Sequence, residues 1–102
     1  MMEIISGDQL VISVDFTIDG QPATFVNNTA EFVIHMGQQD ITIQPVEYDK
    51  GTATFYLSAS DTAELLNKKH DGKLKYSVRF YFDNDPEQRE TPIHRKDLTV
   101  KR

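Results

Sequence analysis

The stretch Ser58-Ala59-Ser60-Asp61-Thr62-Ala63-Glu64-Leu65-Leu66, followed by His70-Asp71-Gly72 and then Leu74-Lys75-Tyr76-Ser77-Val78-Arg79-Phe80-Tyr81-Phe82, decides the fold of this chain. Around it apolar and polar residues alternate, the period of half-buried strands, and only here does that period break. The break has the marks of a helix start. Asp61 is placed to cap the first amides, and Glu64, three residues on, to complete a capping box. Lys68, Lys69 and His70 suit the negative end of a helix, and Gly72 suits its stop. The spacing therefore predicts one short helix near residues 61–69 set into an otherwise all-β chain. Ala63 and Leu66, one turn apart, are expected to cover an open end of the sheets.

Working outward, the first clear strand places Leu10, Ile12, Val14, Phe16 and Ile18 on one face, with Val11, Ser13, Asp15 and Thr17 on the other. A short piece at 23–26, a strand at 32–36 and another at 41–48 follow. Pro45 lies inside the last, and because it cannot donate to a ladder it marks an edge or a bulge. Ala53, Phe55 and Leu57 alternate in their turn. Leu74, Tyr76, Val78, Phe80 and Phe82 form a second five-residue inward face. Ile93 and Leu98 fall on opposite parities, which calls for a bulge near Lys96-Asp97. Asp19-Gly20 and Lys50-Gly51 sit where turns need positive φ. Six to seven strands at this spacing read as an antiparallel β-sandwich, one domain over residues 1–102.

The 102 residues include no cysteine, which excludes disulfides, thiolate metal sites and a thiol nucleophile. The first residues lack the basic and apolar regions of a secretory signal. No segment approaches the roughly 18 apolar residues that span a bilayer. The expectation is a protein with no membrane partner, made in a reducing cytoplasm. Charge is uneven: residues 1–67 hold ten acids and one base, Lys50, net −9, whereas residues 68–102 hold ten bases and six acids, net +4. Such a chain either docks electrostatically or cancels its charge across paired strands, and the interleaving of antiparallel sheets favours cancellation.

Gly7-Asp8-Gln9-Leu10, then Ser58 with Asp61-Thr62-Ala63 and Leu65, then Tyr76-Ser77-Val78-Arg79, then Thr91 and Leu98-Thr99-Val100 occur in an order that resembles small immunoglobulin-like modules of tailed-phage virions. The N-terminal domain of baseplate upper proteins and related tail or head-fibre accessory proteins are the members it is most like. Lys96-Asp97 departs from the pattern, which often has a glycine before the final Leu-x-Val. The resemblance implies an immunoglobulin-like sandwich and a structural role in the virion, joining its parts. It brings no catalytic residues and no cofactor.

The residues themselves offer little chemistry. His35, expected to point outward, His70 and His94 are scattered, with no metal-ligand spacing. Asp83-Asn84-Asp85-Pro86-Glu87 alternates carboxylates like a calcium loop, but Gln88 and His94 stand where that loop needs glycine and glutamate. The motifs of nucleophilic hydrolases and phosphate-binding loops are missing, so the chain reads as a non-enzyme. Lys73, Lys75 and Arg79 share the outward face of the Tyr76 strand with Tyr81. That face would suit single-stranded nucleic acid, although the net charge of −5 opposes it. Tyr48, Tyr56 and Tyr81 are expected outside, where tyrosine favours interfaces. The reading is a homo-oligomer, most simply a dimer, through Tyr56, Tyr81, Lys73, Lys75 and Arg79. Other virion proteins are its further partners, and a host-surface carbohydrate is the alternative ligand.

Overall fold

The structure, a computed structural model, describes residues 2–37, 39–85 and 87–102. The strands are β1 (Met2–Ile5), β2 (Leu10–Asp15), β3 (Thr17–Ile18), β4 (Gln21–Pro22), β5 (Thr29–Met36), β6 (Gln39–Ile43), β7 (Glu47–Asp49), β8 (Thr52–Leu57), β9 (Lys73–Tyr81) and β10 (Arg89–Lys101). One helix, α1 (Ala59–Lys68), lies between β8 and β9, and a 3-10 turn at Phe82–Asn84 follows β9. A five-stranded sheet in the order β1-β10-β9-β5-β6 packs on a three-stranded sheet in the order β2-β8-β7, with β3 and β4 a small hairpin beyond β2. This is the immunoglobulin arrangement, with β2, β8 and β7 as one layer, β10, β9, β5 and β6 as the other, and β1 laid parallel along β10.

Alternation builds the core. Phe55 and Leu57 from the small sheet meet Phe32, Ile34, Tyr76 and Val78 from the large one, all buried. Phe32 lies between the layers, 5.7 Å from Phe55 and stacked at 5.3 Å on Tyr76, centroid to centroid. Both five-residue inward faces are present as expected. The segment 41–48 divides at Pro45: β6 closes the edge of the large sheet, the chain crosses, and β7 opens the edge of the small one.

Two local expectations change. The N-cap is Ser58, whose hydroxyl accepts the Asp61 N–H at 3.2 Å while the Asp61 carboxylate accepts the Ser58 N–H at 3.0 Å. The capping box is thus Ser58/Asp61, not Asp61/Glu64, because Ser58 is the residue with extended φ/ψ where the strand ends. The buried helix face is Thr62 and Leu65, with Ala63 and Leu66 only half-buried, and the Thr62 hydroxyl is held inward by its bonds to the Gly7 N–H and the Asp8 carbonyl. β1 is a strand that alternation over so few residues did not disclose. The break in β10 comes next to Lys96 as expected and extends upstream, with register shifts on both sides of Ile93 and Arg95 at φ 45°. Gly72 ends the helical insertion as expected, and its φ of 66° is only half of the reason. A Cβ there would lie 2.2 Å from the Val100 carbonyl oxygen, while the Val100 N–H donates to the Gly72 carbonyl at 2.8 Å.

Candidate interaction faces

Each sheet turns one face away from the core, and the sequence fills the two very differently. No lysine or arginine occurs on β2, β7 or β8, whereas Asp15, Glu47 and Asp49 are exposed on them. β9 and β10 carry Lys73, Lys75, Arg79, Arg89, Arg95, Lys96 and Lys101 against Glu90 and Asp97. The bases are thus gathered on β9 and β10, while the other strands of the same large sheet carry the acids Glu3, Glu31 and Asp40. Part of the charge cancels across paired strands, as expected: Glu31 of β5 stands directly opposite Arg79 of β9. Glu3–Lys101, 3.1 Å, joins the acidic and basic halves, but Lys75–Asp97, 2.7 Å, and Lys69–Asp71, 3.1 Å, lie within the basic half. A hydrogen bond from the Lys75 ammonium holds the Asp97 carboxyl below its ordinary range. The Lys73 N–H, then Lys69, does the same for Asp71.

Lys73, Lys75, Arg79 and Tyr81 share the outward side of β9, as expected, and Tyr81 lines a shallow hollow with Thr29, Glu31, Gln44 and Asn84. Tyr56 does not join them. It points out from β8 in the opposite layer, beside exposed Val11, its cross-strand partner, and its hydroxyl donates to Gln9 Oε1 at 3.3 Å. The proposed Tyr56–Tyr81 surface is thus two surfaces, because β8 and β9 belong to different sheets whose inward faces meet. Tyr48 is exposed as expected, 39% against 40% for Tyr56, but from the other side of its sheet. It pairs with buried Ala53 and so faces the core side of the sheet edge, where its ring stacks on Phe25 at 4.2 Å.

His35 is the other correction. Its parity is outward, yet it is 7% exposed, because the β10 bulge and Asp40 cover it. His35 Nδ1 lies 3.0 Å from Asp40 Oδ1, and Nε2 lies 2.7 Å from Ser77 Oγ. The carboxylate can only accept, so Nδ1 carries the proton. Ser77 Oγ accepts the Arg95 N–H at 3.1 Å and has its own proton for Nε2. Asp40, His35 and Ser77 stand in the order of an acyl-transfer relay. Ser77, however, is 2% exposed, and its oxygen is committed to the bulge. No carbonyl substrate can approach it, so the relay works as a clip that fastens β5, β9 and the β10 bulge. Only adjacency across β5 and β9, which the sequence does not give, would have paired His35 with Ser77.

Among the described residues no three His, Cys, Asp or Glu side chains converge to hold a metal ion. The calcium-like run includes Pro86, which lies outside those residues. No described helix is long and apolar enough to cross a membrane. A cavity of about 410 Å³ opens between β6, the end of β8 and α1, lined by Ile41, Ile43, Tyr56, Leu57, Glu64 and Leu65 among others.

No protein-family model and no curated protein matches the chain. Among solved structures, a "putative glycoside hydrolase" from Bacteroides vulgatus matches 98% of this chain with a TM-score of 0.52 at 11% identity. The match spans only 16% of that much longer chain. At that identity the likeness concerns the fold alone, an all-β sandwich carrying one short helix.

Proposed function

We propose that this chain is a non-enzymatic structural component of a phage or prophage virion, at the tail, baseplate or a fibre, acting through protein–protein contacts with other virion proteins and with itself. The observation that carries the reading is the concentration of charge by strand, acids without a base on β2, β7 and β8 and mostly bases on β9 and β10. A module with two unlike faces joins two neighbours, or stacks head to tail on copies of itself. The order of motifs from Gly7-Asp8 to Leu98-Thr99-Val100 supports the virion setting. The first two are also physically fastened: Thr62 Oγ1 donates to the Asp8 carbonyl at 2.8 Å and accepts the Gly7 N–H at 3.0 Å. The chain would be assembled in the host cytoplasm and carried in the particle.

Density-gradient particles from the host, probed with an antibody to the chain, test the setting; absence from the particles overturns it. Light scattering after size exclusion at low and high salt tests self-association, which should weaken with salt because the charges are exposed. A monomer at hundreds of micromolar in both salts removes the self-association. A second reading, carbohydrate recognition, takes its motive from the sandwich-sized match inside a chain named as a glycoside hydrolase and from Tyr56 at the rim of a cavity. A glycan array without hits ends that reading.

A further inference from the structure

The small sheet is unfinished on one side. β8 pairs with β2 along its whole length, Leu57 to Thr52, but with β7 only from Thr52 to Thr54. The Val46 N–H donates to the Thr54 carbonyl at 2.8 Å, which fixes the side to which Thr54 turns its backbone groups. Backbone groups of a strand point to alternate sides with period two, so Tyr56 turns its N–H and C=O to that same side. There, among the described residues, no strand pairs with it. Instead the cavity of about 410 Å³ lies against this half of β8.

The walls say what fits. Ile41 and Ile43 of edge strand β6, with Leu65 of the helix, make an apolar floor on the core side. Asp61, Glu64 and Lys68 stand on the helix rim, and the adjoining outer face of the sheet bears acids without a base. We infer that this groove accepts an extended segment of a partner protein, added to β8 as the continuation of β7. A strand laid there exchanges both backbone bonds with Tyr56 through one residue, which faces outward beside the tyrosine ring. The residues on either side of it face inward onto the isoleucines, and basic ends suit Asp61 and Glu64, the two acids that outnumber Lys68 on the rim. The recognised chemistry is therefore basic–apolar–polar–apolar–basic in extended form. The site goes beyond the virion reading and stands on the groove alone.

A blocked pentapeptide, acetyl-Lys-Val-Thr-Val-Lys-amide, titrated into the 15N-labelled protein is the probe. The expected result is saturable shifts at Tyr56 and at Ile41 and Ile43, with slowed hydrogen exchange of the Tyr56 amide. N-methylation of the central threonine, which removes the donor to the Tyr56 carbonyl, should weaken binding at least roughly tenfold. Glu64→Arg, an exposed change that leaves the fold intact, should weaken it roughly three- to tenfold. Equal binding of the N-methylated peptide, shifts confined to the β9 face, or no saturation each overturns the proposal. So does a Tyr56 amide already protected in concentrated free protein and exposed on dilution, which would make the occupant a second copy. None of these failures touches the particle or salt experiments.

Discussion

Thr62 offers the sharpest test of how this domain is closed. Its side chain is fully buried, an uncommon place for a threonine on a helix. The hydroxyl donates to the Asp8 carbonyl and accepts the Gly7 N–H, residues more than fifty positions away. Thr62→Val keeps the shape and removes the hydroxyl, leaving one backbone donor and one acceptor without their partner. Each such orphan costs about 1–3 kcal/mol, less where water reaches it, and these two bonds are only partly buried. A total near 2–4 kcal/mol follows, against the 5–15 kcal/mol that typically holds a domain. In a chain of this size that lowers Tm by roughly 10–20 °C. Urea melts followed by far-UV circular dichroism measure it. Thr62→Ser keeps both bonds and loses one methyl, so it should cost only about 1 kcal/mol. If Thr62→Val melts within about 0.5 kcal/mol of the parent, the hydroxyl is not what fastens the chain start to the helix.

Leu65→Ala should cost about 2–5 kcal/mol because Leu65 is 2% exposed, and half-buried Leu66→Ala clearly less; the reverse order in denaturant melts would mean the helix face is rotated. Ser77→Ala removes the partner of both His35 and the Arg95 N–H and should cost about 1–3 kcal/mol, while the intact protein stays unlabelled by a fluorophosphonate probe; labelling at Ser77 would refute the structural clip. Asp71 and Asp97 have carboxyls held below their ordinary 3.8, so the stability they add is present above that value and is lost as pH falls through the lower folded value. Melts taken between roughly pH 5 and pH 2 should therefore show a smaller acid loss for Asp97→Asn than for the parent; parallel curves would show that the Lys75 contact carries nothing.

Period-two patterning was enough for the inward faces of β2, β8 and β9, because each is half-buried and a one-residue slip would turn its apolar set to water. It failed where burial is two-sided. Phe32, Val33, Ile34 and His35 are all buried in succession, so alternation placed His35 in solvent when the β10 bulge in fact roofs it. The helix was legible, but its first turn was displaced because two acceptable caps, Ser58 and Asp61, stand three residues apart and the box uses both. Lys73, Lys75, Arg79 and Tyr81 were rightly grouped, since a single strand sets their parity. Tyr56 was joined to them in error, because parity says which face of a sheet a residue occupies and nothing about which sheet.

Pro45 links the fold to the open groove. It offers no donor to a ladder, and it stands where the chain leaves β6 after Ile43 and enters β7 at Glu47. Because the crossing comes at the level of Thr54, β7 can pair with only the first half of β8, and the second half keeps its edge. That edge is short, a single residue's N–H and C=O, with Asp61, Glu64 and Lys68 beside it. A stretch so short and so charged gives indiscriminate strand pairing little to build on. It still admits a segment that supplies apolar side chains for Ile41 and Ile43 and cations for the rim. The proline that marks an edge or a bulge in the sequence is thus, in the folded chain, what leaves room for a partner.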